Sequence, residues 1–188
     1  MKRRALLSAL PLAFPLAFPL ALLAACADDA ARSHLWGFGD PVRGAALNAP
    51  RQFGDLSRWQ GQPDQAALAL VQIEFLAQAL ATDPFYTAQV SPTVVIQLQQ
   101  ARDQARDHLG IRRDAAPEAV MAALRQAAAA VRDGRMASAE AALSGPDFTL
   151  GGAATLRRLS ALPRLPRASE AAGAVNAELR RMDGSPRR

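Results

Sequence analysis

Apolar residues recur through the middle of the chain at helical spacing. From about Asp64 to Thr82, the residues Leu68, Ala69, Val71, Ile73, Phe75, Leu76, Ala79 and Leu80 cover more than one stripe of a 3.6-residue period. A helix apolar on so many sides is predicted to lie at the centre of a bundle. Asp64 is placed to cap it, and Asp83-Pro84 to end it. Glu74 is the one acid inside this stretch and is expected on the exposed edge of the helix.

The pattern repeats downstream with narrower stripes. Ser91-Pro92 predicts a second helix ending near Leu109, with Gly110 as its stop; Val94, Leu98, Ala101, Ala105 and Leu109 face inward, and Gln97, Gln100, Arg102, Asp103, Gln104 and Asp107 mostly face water. Pro117 opens a third helix whose inner stripe is Val120, Leu124, Ala127 and Val131. A shorter fourth helix is predicted from about Arg135 to Leu143, a fifth from Ala153 to Leu162, and a sixth from Arg167 to Met182. The last two rely largely on leucine edges and alanine, so the sixth is expected at the periphery. Val131 to Leu143 is similar to half of a tetratricopeptide unit, but no period near 34 residues follows, so it is read as a common helical hairpin. No alternation with a period of two persists. The fold class is therefore all-α, a small bundle of about five or six helices over residues 64–183, with 184–188 as a basic end.

Residues 26–63 show glycine, proline, asparagine and aspartate without a sustained helical period, which reads as an irregular tether. Trp36, Phe38, Phe53 and Trp59 modify that reading, because a linker with no packed structure is usually poor in aromatics. Part of the arm is expected to fold back onto the helices. Trp36-Gly37-Phe38-Gly39-Asp40-Pro41 is its most distinctive loop.

Upstream, Lys2-Arg3-Arg4 precedes an apolar run from Ala5 to Ala25, the plan of a secretory signal. Pro11, Pro15 and Pro19 recur every fourth residue, which opposes a stable spanning helix. The run closes on Leu23-Ala24-Ala25-Cys26, which contains the chain's single cysteine. These four residues resemble the lipobox of bacterial lipoprotein precursors, a resemblance confined to roughly the first 26 residues. It implies that residues 1–25 are a signal peptide cut before Cys26, with Leu23, Ala24 and Ala25 recognised by the peptidase and the Cys26 thiol carrying covalent lipid. A thiolate is a strong nucleophile, suited to accept a glyceryl group. Each buried methylene contributes about 0.8 kcal/mol, so two or three acyl chains would hold the protein effectively permanently. Ala25-Cys26-Ala27 is also an A-x-A pattern, after which an ordinary signal peptidase would cut and discard the cysteine.

Without residues 1–25, 163 residues remain, enough for one domain with a real core. Removing Lys2, Arg3 and Arg4 from the 22 basic residues leaves 19 against 17 acidic ones, so a nucleic-acid role loses most of its support. The remaining charge is uneven: residues 27–147 carry 11 arginines against 14 acids, and residues 148–188 carry 8 against 3. Arg157, Arg158, Arg164 and Arg167 are the candidates for contact with an anionic surface, whether lipid headgroups, an acidic wall polymer or an acidic protein.

Catalytic chemistry is thinly provided for. His34 and His108 stand in no metal-ligand spacing, and His108, near a helix end, is expected to stabilise the exposed carbonyls as a protonated imidazole. There is no nucleophile elbow and no phosphate-binding glycine loop. The expectation is a non-enzymatic protein with no metal and no cofactor beyond lipid on Cys26. It is read as a lipid-anchored, periplasm-facing binding or scaffold protein of the bacterial cell envelope, with the membrane as one partner and an envelope protein or anionic polymer as another. Ala27 lacks the aspartate that the resemblance associates with inner-membrane retention, so an outer-membrane location is expected. The alternative is a small-molecule or lipid carrier with an apolar cavity near Leu76, Leu98 and Leu124.

Overall fold

A computed structural model describes residues 40–184. Within them lie eight α-helices: α1 Pro41–Gln52, α2 Pro63–Thr82, α3 Pro84–Thr87, α4 Pro92–Leu109, α5 Pro117–Arg132, α6 Met136–Ala142, α7 Gly152–Ser160 and α8 Pro166–Gly184, with a 3-10 helix at Leu56–Trp59. The described residues contain no β-strand; an isolated bridge between Ile111 and Phe148 joins two loops. The leader, Cys26, His34, Trp36 and Phe38 lie outside the described residues, as do the last four.

The expected core helix is α2. It buries Ala66, Leu70, Ile73, Leu76, Ala77 and Leu80 and is surrounded by α1, α4, α5 and α7. By length and composition it could cross a membrane, yet its apolar surface is largely covered by its own neighbours. Asp83 ends it and at once caps α3, accepting the Phe85 N–H at 2.8 Å. The predicted α4 and α5 stripes face inward, with Val131 half-buried, and α4 stops at Gly110, whose φ of 69° needs the left-handed freedom of glycine.

Two expectations about packing are corrected. Residues 41–59 belong to the bundle instead of forming an irregular tether. Asp40 caps α1 by accepting the Val42 N–H at 2.9 Å, and Pro41 sits at the first helical position, where its missing donor is harmless. The stripe Val42, Ala45, Ala46 and Ala49 has helical period but little side-chain volume, so its signal was weak. Pro50 cannot donate to the Ala46 carbonyl; Asn176 of α8 supplies donors to Ala46 at 3.4 Å and Leu47 at 2.9 Å. The arm does return its aromatics to the core: Phe53 is fully buried, and half-buried Trp59 donates from Nε1 to the Gln52 carbonyl at 2.8 Å.

The second correction concerns α8, which is not peripheral. It packs against both α4 and α1 through Ala168, Ala171, Ala172, Val175 and Leu179, all fully or almost fully buried. Alanine gives each contact little area but allows the helices to approach closely. A related close approach occurs at Gly152, where a Cβ would lie 1.8 Å from the Glu140 carbonyl oxygen.

The side-chain ties define two poles. At one, Tyr86 donates to Asp40, Arg43 pairs with Asp183, and Glu178 accepts the Ser91 N–H at 2.8 Å. Burial foremost, with the Asp40 hydrogen bond adding, pushes the Tyr86 hydroxyl up, so it remains a donor. The described residues begin at this pole, the root pole, with Asp40. At the opposite pole the Gly61 N–H donates to the Ser160 carbonyl at 2.8 Å, Gln60 Nε2 donates to the Leu162 carbonyl at 3.2 Å, and Ser169 donates to the Gly54 carbonyl.

Candidate functional site

The four candidate arginines stand together at the far pole. Arg157 and Arg158 project from α7, Arg164 from the following loop and Arg167 from the first turn of α8; all four are exposed. Two are held in place. Arg158 donates to the His108 carbonyl, while Arg167 donates from its side chain to Gln100 Oε1 and from its backbone to Gln104 Oε1 at 3.1 Å. The arm adds Arg51, Arg58 and Asp55, which sequence reasoning missed. Arg58 donates to the Arg51 carbonyl at 2.9 Å and stacks 5.1 Å from the centroid of the Trp59 ring. Asp55 lies beside Arg58 and Arg164; its carboxyl is held below the usual range chiefly by the Ser57 hydroxyl, with both arginines adding. No local motif announced Arg51 and Arg58, because their segment showed no period.

His108 differs from its expected role. Burial, with Arg158 adding, pushes its imidazole below the ordinary histidine value, so the fold favours the neutral ring. Its Nε2 is buried without a hydrogen-bond partner among the described residues. A base whose folded-state pKa is depressed supports stability above its unfolded value and loses that support as pH falls through it. Stability should therefore decline between about pH 7 and pH 5, and less so in His108→Gln. Urea unfolding of both proteins across that window checks this; parallel curves would contradict it.

Glu74 is likewise not at an exposed edge. Its carboxylate accepts Arg106 Nε at 2.7 Å and Nη2 at 2.7 Å, with side-chain exposures of 5% and 1%. Arg106 Nη1 then donates to the carbonyls of Arg112, Arg113 and Ala115, at 3.2, 2.8 and 2.9 Å. These bonds clamp the α4–α5 loop to α2. With its donors turned to carbonyls and Glu74, the pair holds structure and presents no free acid or base to a cleft.

Leu76, Leu98 and Leu124 are each fully buried in the continuous core. Open space lies instead in a groove of about 500 Å³ between α1, α2 and α5, with Val42, Phe75, Ala79 and Met121 as its apolar lining and Asp83, Glu118 and Arg125 among its polar residues. Among the described residues, no group of three or more His, Cys, Asp or Glu is arranged to hold a metal ion. No family model matches the chain, and neither the curated proteins nor the solved structures contain a match.

Proposed function

We propose that the protein is a lipid-anchored, periplasm-facing helical binding or scaffold module of the bacterial envelope. The observation that carries this reading is Leu23-Ala24-Ala25-Cys26 at the end of an apolar leader. The bundle supports it in two ways. Its first cap, Asp40, follows Cys26 by 14 residues, a spacer that reaches at most about 50 Å when fully extended. Its interior is side-chain packing, and its polar bonds lock loops to helices, as suits a module that offers a surface.

The residue after the cysteine is Ala27, which favours the outer membrane. A carrier is the second reading, and the groove beside Phe75 and Met121 is the observation that favours it. Its volume falls within the roughly 300–1,000 Å³ of small-molecule pockets, but it is open to solvent where such pockets bury most of their ligand. Metabolic labelling with a palmitate analogue tests the anchor. The wild-type chain is expected to take up label and sediment with membranes, and Cys26→Ser to lose both; undiminished label in the variant would overturn the proposal.

A further inference from the structure

Among the described residues, the arginines differ in their ion pairing. Arg43, Arg102, Arg106, Arg112, Arg113, Arg135 and Arg181 each have a carboxylate within ion-pair distance. Arg132 and Arg180 form no ion pair and stand apart from one another, and Arg51, Arg58, Arg157, Arg158, Arg164 and Arg167 form none either, although Asp55 lies close to two of them. The last six gather around the turn between α7 and α8 and the segment lying on it. We propose that they form a docking face for an acidic peptide segment of a partner protein, presented at the pole opposite the tether root. The chemistry of the face stands on the geometry alone; its orientation rests on the lipid-anchor reading above.

Three features favour this partner. The first is preorganisation: Arg158, Arg167 and Arg58 are each held through a carbonyl, an amide oxygen or a ring. A guanidinium has five N–H donors, so each retains donors directed to solvent while part of its ordering cost is already met. The second is the match of fork to carboxylate, which this chain makes repeatedly, as in Arg113 Nε and Nη2 on Asp107 at 3.0 and 2.6 Å. Half-buried Trp59 under Arg58 adds the aromatic and arginine content characteristic of protein interfaces.

The third feature is position. α2 runs from this pole at Pro63 to the root pole at Thr82, about 30 Å for its 20 residues. On the lipid-anchor reading the chain enters the bundle at Asp40, a helix length away from the arginines, and the 14-residue spacer is long enough for them to stand clear of the headgroups. Among the described residues of the root pole, Arg43 and Arg181 are paired with Asp183 and Glu178.

The test uses the full-length protein in discs of zwitterionic lipid, with fluorescent oligoglutamate as probe and anisotropy as readout. The double variant Arg157→Glu/Arg164→Glu should weaken binding about tenfold or more, while Arg132→Glu/Arg180→Glu, the same charge change elsewhere, should alter it less than about twofold. Affinity should fall with added salt. Equal loss in both double variants would overturn the proposal, as would tighter binding of polyphosphate or phosphatidylglycerol vesicles than of the peptide. The Cys26→Ser chain is assayed alongside: unchanged peptide binding there keeps the docking face separate from the anchor, and lost binding there would overturn a face built only from the six arginines.

Discussion

Arg106→Ala is expected to lower stability by about 3–5 kcal/mol, because it leaves Glu74 charged and buried without a counter-ion. It also orphans the carbonyls of Arg112, Arg113 and Ala115, which receive Nη1 in the native fold. Glu74→Ala should approach the same loss, since the guanidinium it abandons is 1% exposed. Urea unfolding measures both, and the melting temperature should drop by roughly 10 °C in a domain of this size. The double variant Glu74→Ala/Arg106→Ala should cost less than the two singles added together, the mark of direct coupling. Either single variant within about 1 kcal/mol of wild type would show that water reaches the pair and that the loop clamp is weak.

Leu98→Ala should cost about 2–5 kcal/mol, the range for a fully buried leucine whose cavity cannot collapse. Leu98 has no exposed surface and lies where α4 meets the core around α2. In a bundle so rich in alanine, few large side chains supply most of the buried area, so each should matter more than it would in a leucine-rich core. Phe75 provides the internal comparison. It is larger but only half-buried, with one face lining the groove, so Phe75→Ala should cost less than Leu98→Ala. The reverse order by thermal or urea unfolding would mean that the groove is closed in solution and that Phe75 is an interior residue.

Sequence made most helix boundaries legible because the signals there are local. Asp83-Pro84, Ser91-Pro92, Gly110 and Pro117 act through their own backbone constraints, and each stands at a real helix end. α1 escaped because Ala45, Ala46 and Ala49 mark its inner face with almost no hydrophobic contrast, and because Asn48 and Pro50 resemble loop residues. Pro50 leaves the Ala46 carbonyl without its helical donor, and the donor it finds belongs to Asn176, a residue far along the chain. Glu74 escaped for a similar reason: its partner is 32 positions away, and nothing near Glu74 encodes that meeting.

The candidate interface was half legible. Arg157, Arg158, Arg164 and Arg167 stand out as a run of positive charge in the chain. Arg51 and Arg58 join them only because Gln60, Gly61 and Gly54 tie the arm to Leu162, Ser160 and Ser169. The fold therefore turns a linear bias into a face, and the same ties place that face across the bundle from Asp40.

Whether Cys26 is an anchor is decided by the mass of the mature N-terminal peptide from membrane-extracted protein. The expected peptide begins at Cys26 and carries a lipid-modified thiol with an acylated amine. An unmodified peptide beginning at Asp28, as cleavage after Ala27 would produce, or a retained leader still attached at Met1, would contradict the anchor.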